Sequence, residues 1–203
     1  MSAVEIVAVL SGLACVALTV RQSLWCWPTG LLQVFLYIFI FYEAKLYSDV
    51  GLQVVYVGLS LYGWHAWLRG GPTANDDLPV TRLSSRGRAA WAAVALGGAA
   101  ALGTGMATWT DAALPLPDAF ITATSLVAQV LLSRKIWESW VGWILVDLVA
   151  VPVYAAKALY PTAALYAVFL FLATQGLVRW RKELAAASSS ANSSRPTGAT
   201  STS

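Results

Sequence analysis

The sequence predicts an all-α integral membrane protein of seven transmembrane helices, and three observations carry that prediction. Of the 203 residues, 58% are hydrophobic and only 11% charged, with a mean hydropathy of +0.65. Such a chain is too apolar to enclose its surface in one water-soluble core, so lipid must solvate most of it. The thirteen basic and ten acidic side chains are not scattered; they punctuate charge-free runs. A spanning helix needs roughly 17 to 25 mostly apolar residues and satisfies every backbone hydrogen bond within itself. Finally, the basic residues sort onto alternate loops, as membrane topology requires.

Taken in order, the runs place helix 1 at residues 4–20, helix 2 at 27–42 and helix 3 at 51–68. The first run could also belong to a cleaved signal peptide, but Met1 to Ile6 supply no Lys or Arg for the basic leading segment such a peptide needs. Cys15 lies in helix 1 and Cys26 at the mouth of helix 2, where thiols behave as small hydrophobes. Residues 69–88 contain Gly70, Gly71, Pro72, Asn75, Asp76, Asp77 and Pro79 and read as a polar cytoplasmic loop. Helix 4 follows at 89–109, rich in Ala and Gly that permit close backbone approach. Helices 5, 6 and 7 fall at 117–132, 139–156 and 161–179. From 185 to 203 the chain is Ala, Ser, Thr and Gly without apolar periodicity and reads as a disordered tail.

With seven spans, one membrane side holds only Lys45 and Lys157, and the other holds the remaining eleven Lys and Arg. The positive-inside rule therefore puts the N-terminus outside and the C-terminus in the cytoplasm. Topology accounts for the net charge of +3, so the pI near 9.0 does not imply a nucleic-acid partner.

The two ends of the chain repeat one another. At an offset of 113 residues, Trp27 meets Trp140, Tyr47 meets Tyr160, Leu52 meets Leu165, Gly63 meets Gly176 and Trp67 meets Trp180. A slip of one residue also aligns Tyr42 and Lys45 with Tyr154 and Lys157. If helices 1 to 3 (within 1–68) recur as helices 5 to 7 (within 117–182), helix 4 restores the starting direction and the two triplets run parallel, in a 3+1+3 arrangement. Repeats of this kind mark transporters that hold substrate near the bilayer midplane.

Asp147 is the only charged side chain near the middle of an apolar run. An intramembrane carboxylate costs several kcal/mol by insertion scales, on the order of 3, and normally faces a cavity or a partner. A structural bond to a neighbouring helix, or an ion pair with Lys157, is the plainer alternative. Trp140, Trp143, Asp147, Val151 and Tyr154 follow helical spacing along one face, which is aromatic and anionic and suits a planar cationic ligand. Trp140 could equally belong to an interfacial belt. Gly30, Gln33 and Tyr37 share a face of helix 2, and Gln129 lies in helix 5; these could contact ribose or ring substituents, or tie helices together. His65 stands among Trp64 and Trp67 without a second His, which favours packing over proton relay. The sequence contains no phosphate-cradling Gly-rich loop with a Lys, no metal-ligand cluster and no serine nucleophile motif. Neither an enzyme, nor a cofactor, nor ATP coupling is therefore expected.

The stretch Trp25-Cys-Trp-Pro-Thr-Gly30, followed by Phe41-Tyr-Glu-Ala-Lys-Leu-Tyr-Ser-Asp49 and by Leu61-Tyr-Gly-Trp64 with Trp67, resembles the nicotinamide riboside transporter family, often called the PnuC family. A second block matches as well: Gln129, Arg134-Lys135, Trp140-Val-Gly-Trp143, Asp147, Tyr154-Ala-Ala-Lys157, Leu159-Tyr160, Leu165-Tyr166, and Gly176 with Trp180. The resemblance implies two parallel three-helix bundles joined by helix 4, similar to the sugar-transporting SWEET class. It implies facilitated diffusion, across a bacterial inner membrane, of an unphosphorylated vitamin precursor that a separate kinase traps and that feeds NAD synthesis. It also implies that the Trp-x-x-Trp segment of helix 6 lines the pocket. The expected substrate-contacting set is Trp140, Trp143, Asp147, Tyr154, Gln33, Tyr37, Gln129 and Trp27. An anionic site suits cationic nicotinamide riboside better than neutral riboflavin, whereas thiamine, also cationic, stays open. A membrane scaffold or receptor is the rival class, and a homo-oligomer is compatible with either.

Overall fold

The computed structural model describes residues 3–43, 45, 47–71, 78–110 and 113–193. Seven helices make up the fold: α1 (Ala3–Val20), α2 (Cys26–Glu43), α3 (Tyr47–Arg69), α4 (Ser85–Trp109), α5 (Pro115–Ser133), α6 (Ser139–Ala156) and α7 (Tyr160–Ser193). All but α3 are long and apolar enough to cross a membrane. α3 has the length, at 23 residues, but Gln53, His65 and Arg69 dilute its apolar content. Large apolar side chains such as Leu10, Phe35, Phe39, Leu96, Leu145, Leu148 and Phe171 point outward and are about half exposed, the surface that lipid solvates.

Two expectations change at the ends of elements. α7 runs on to Ser193, well past the anticipated end at 179 and into the stretch expected to be disordered, because its Ala, Lys, Arg and Glu residues sustain helix without any apolar face. Residues 194–203 of the tail, and Pro72, Asn75, Asp76 and Asp77 of the loop, lie outside the described residues.

Packing follows a closed order. α1 packs on α2, α2 on α3, α3 on α5, α5 on α6, α6 on α7, and α7 returns to α1. α4 stands outside this ring and, among the described helices, touches α5 alone. Its buried positions Ala95, Ala99 and Gly103 recur every fourth residue, so only small side chains separate its backbone from Leu116 and Ala119 of α5. Ser84 caps α4 by accepting from the Gly87 amide at 3.1 Å, and Pro115 opens α5 with the φ a first turn needs. The chain entering α4 is pinned to the turn between α5 and α6. Thr81 donates to the Lys135 carbonyl and accepts from the Trp137 amide, both at 3.1 Å. The Glu138 carboxylate accepts from the Leu83 amide at 3.1 Å and from Arg88 Nε at 2.9 Å. Glu138→Ala is expected to cost about 1–2 kcal/mol, since it orphans a backbone donor as well as a guanidinium, and to speed proteolysis between α3 and α4. A thermal melt and a limited-digestion time course check both.

Backbone geometry recurs at the offset of 113 residues. Among the described residues, Gln22, Lys45, Lys135 and Ala158 are the non-glycine residues with positive φ, at 56°, 59°, 54° and 57°, and they form two pairs at that spacing. Each ends a helix in the left-handed conformation that usually takes Gly. Around them the hydrogen bonds match in turn. Gln22 N donates to Thr19 O and Lys135 N to Leu132 O, each at 2.9 Å; Ser23 N reaches Leu18 O and Ile136 N reaches Leu131 O, each at 3.0 Å. The offset stays constant through the next loop, so Lys45 corresponds to Ala158 and the one-residue slip that aligned it with Lys157 is not present in the backbone. Ala158→Gly is expected to raise stability by about 1 kcal/mol, because the Cβ strain of a left-handed residue is removed where the side chain contributes little else.

Candidate functional site

Two layers of side chains occupy the interior of the ring. The first is a chain of four indoles from four helices. Trp27 (α2) meets Trp67 (α3) edge to face at 5.3 Å, Trp67 meets Trp180 (α7) at 6.0 Å, and Trp180 meets Trp140 (α6) edge to face at 5.4 Å. All four are at most 4% exposed. Gly63 and Gly176, one turn before Trp67 and Trp180, leave the space that Trp27 and Trp140 fill. Lys135 Nζ lies 4.7 Å from the centre of the Trp67 ring, and Trp67 Nε1 donates to the Leu132 carbonyl at 3.3 Å. The indole N–H groups of Trp27, Trp140 and Trp180 find no acceptor among the described residues. Trp27 and Trp140 thus stand in matched, sealed positions, and neither serves as an interfacial belt residue.

The second layer begins one helical turn further along α6. Trp143, half-buried, packs against the indole cluster, and Asp147 follows at i+4. Asp147 is 3% exposed and has no hydrogen-bond or ion-pair partner among the described residues. The alternative pairing with Lys157 is absent: Lys157 Nζ instead grips both oxygens of Asp118, at 2.9 and 2.8 Å, tying the end of α6 to the start of α5. Tyr154 stacks on Tyr166 of α7, with ring centres 5.1 Å apart and planes at 17°. Tyr166 lies within electrostatic range of Asp147, Tyr154 and Tyr56, and Tyr37 of α2 within range of Tyr154 and of Glu5 in α1. Tyr56 of α3 shares a hydrogen bond of 2.7 Å with Ser125 of α5. α3, α5, α6 and α7 therefore each bring a polar group to this layer, with Tyr37 of α2 in electrostatic range of it. Pro152, inside α6 between Asp147 and Tyr154, cannot donate to the Leu148 carbonyl.

Gln33 and Gln129 are both half-buried, with side-chain amides that have no partner among the described residues. Gln33 lies against Gly12 of α1, where an added Cβ would come within 2.8 Å of its amide carbon. Sequence reasoning missed Tyr56 and Tyr166 as members of this layer. The signal was present: Tyr56, Ser60, Gly63 and Trp67 follow helical spacing along α3, and Tyr166, Ala173 and Trp180 recur every seven residues along α7. His65 is exposed and takes no part.

A ring of apolar helices around an interior polar layer defines a multi-pass helical membrane protein. The chain belongs to the family described as Nicotinamide mononucleotide transporter, which matches residues 2–182. It is 28% identical to the nicotinamide riboside transporter PnuC of Escherichia coli over 89% of this chain and 85% of that protein. It is 32% identical to the riboflavin/roseoflavin transporter RibM of Streptomyces davaonensis, over 87% of this chain and 83% of that protein. The crystal structure of the vitamin B3 transporter PnuC has the same fold, with a TM-score of 0.72 at 24% identity, covering 90% of this chain and 82% of that one.

Proposed function

We propose that the protein carries nicotinamide riboside across a bacterial inner membrane by facilitated diffusion, with trapping by a separate intracellular kinase. The observation that carries this reading is Asp147, a buried carboxylate without a partner among the described residues, near Trp143, Tyr154 and Tyr166. A pyridinium ring supplies both the missing countercharge and a flat face for the aromatic rings. Gln33, Gln129 and Tyr37 would meet ribose hydroxyls, and Trp27 and Trp140 would close the site from behind.

The constant backbone offset and the two equivalent seams, α3 with α5 and α7 with α1, support a ring made of two parallel bundles, 1–68 and 117–182. In this arrangement the segment between α3 and α4 is cytoplasmic, and α4, which starts at Ser85 and so takes in the last residues expected to be loop, is a linker helix outside the ring. The concentration of Lys and Arg on one set of loops supports an outward N-terminus and a cytoplasmic C-terminus. The framework residues obey the repeat while the polar ones break it: Asp147 corresponds to Val34, Gln33 to Val146, Tyr37 to Ala150 and Trp143 to Gly30. One asymmetric ligand bound on a near-symmetric frame would produce that pattern.

Proteoliposomes containing only this protein should equilibrate labelled nicotinamide riboside with saturation and without an ion gradient. Failure to do so, together with accumulation of riboflavin or thiamine, would overturn the substrate assignment. Riboflavin is the second reading, favoured by the 32% identity to RibM. It predicts uptake that Asp147→Asn leaves nearly unchanged, since riboflavin carries no positive charge.

A further inference from the structure

Outside the polar layer, the seam between α1 and α7 opens into a cleft of about 320 Å³ lined by Ala17, Val20, Arg21, Leu172, Gln175 and Arg179. Its lining is graded along the helix axes. Arg21 and Arg179 lie at the end of the span with Val20 beside them, Gln175 one turn in, and Ala17 and Leu172 continue toward the bilayer. Arg21 has no acceptor among the described residues, and it is exposed. Arg179 uses only Nε, toward Glu183 at 3.4 Å, and the Gln22 side-chain amide in turn donates to Glu183. The terminal nitrogens of both guanidinium groups are left for another anion.

The matching seam between α3 and α5 is bridged by hydrogen bonds deep along the helices. There Ser133 donates to the Leu59 carbonyl at 3.3 Å, Trp67 to the Leu132 carbonyl at 3.3 Å, and Tyr56 bonds Ser125. At the repeat offset Arg179 is replaced by Ala66 and Gln175 by Tyr62. The second cation and the glutamine therefore belong to one seam only and are not a by-product of the repeat.

We propose that this cleft holds the headgroup of an anionic phospholipid, its phosphate between Arg21 and Arg179, its ester region at Gln175 and an acyl chain along Ala17 and Leu172. A guanidinium pair binds phosphate oxygens by charge-assisted hydrogen bonds, and basic pockets between spanning helices select anionic headgroups. The same pair repels a cationic substrate, so the cleft is not a second substrate site. A bound lipid would add to the Gln22–Glu183 hydrogen bond in holding this seam together.

The test titrates detergent-purified protein with phosphatidylglycerol, phosphatidylcholine or inorganic phosphate and reads bound adducts by native mass spectrometry. Phosphatidylglycerol is expected to bind about thirtyfold more weakly to the Arg21→Gln, Arg179→Gln double variant, and about fivefold more weakly to each single variant, which carry the test if the double variant does not fold. Arg86→Gln, exposed at the start of α4, should bind as the unaltered protein does. Equal binding of the two lipids to the unaltered protein, or undiminished phosphatidylglycerol binding by the variants, would overturn the proposal. Displacement of the lipid by millimolar inorganic phosphate would overturn it too, assigning the cleft to free phosphate.

Discussion

Asp147→Asn is expected to move two measurements in opposite directions: the thermal midpoint rises while affinity for nicotinamide riboside falls ten- to a hundredfold. The stability gain follows from burial. At 3% exposure, the carboxylate is largely removed from bulk water and has no donor among the described residues. A neutral amide of the same shape carries a smaller desolvation cost, by about 1–3 kcal/mol. The affinity loss follows from charge, because a contact between ionised groups contributes about 1.5–3 kcal/mol and its removal divides affinity by the corresponding factor. Calorimetry with nicotinamide riboside, thiamine and riboflavin reads the second effect. Riboflavin, being neutral, should bind the variant and the unaltered protein within about threefold, since no charge contact is lost. A lower thermal midpoint with unchanged ligand affinity would instead assign Asp147 to helix packing, as a scaffold or receptor requires.

Gly176→Ala is the second large effect. A Cβ at that position would come within 2.5 Å of Cε2 and within 2.6 Å of Cδ2 and Cζ2 of Trp140. The indole cannot retreat, because it is 2% exposed and its edge already meets Trp180. Overpacking of this kind costs about 1–3 kcal/mol, and Gly176→Val should prevent folding. Gly63→Ala should cost a similar amount through Trp27, which occupies the equivalent space. The contrast is Gly97→Ala on α4, where nothing lies within 4 Å of the added carbon. There the loss of backbone freedom in the unfolded chain should stabilise the protein by about 0.5–1 kcal/mol. Loss of stability in all three variants would show that helical propensity and packing were wrongly apportioned.

The fold was legible where physics acts along the chain. α6 ends at the residues read from hydropathy, and the offset of 113 residues read from Trp and Gly matches recurs in dihedral angles and hydrogen bonds. Membrane solvation makes apolar runs unambiguous, and at both Trp27 and Trp140 a large aromatic residue is paired with the glycine that admits it. What depends on contact between distant segments was not legible. The partner of Lys157 is Asp118, 39 residues away, and no local pattern distinguishes it from Asp147. Tyr56 and Tyr166 join the polar layer only because α3 and α7 face inward at those depths. α7 overran its expected end because water-exposed Ala and Lys continue a helix as readily as Leu does in lipid, so loss of hydropathy marked the edge of the membrane and not the edge of the helix.

The position of α4 has a consequence for how this sequence can vary. A helix that leans on a single neighbour through Ala95, Ala99 and Gly103 has most of its circumference set only by the requirement to dissolve in hydrocarbon. Leu, Val, Ile and Phe are interchangeable there, as bristles on a brush are, and the transport path would not register the exchange. Drift should therefore gather on that outer arc while the three small residues stay small.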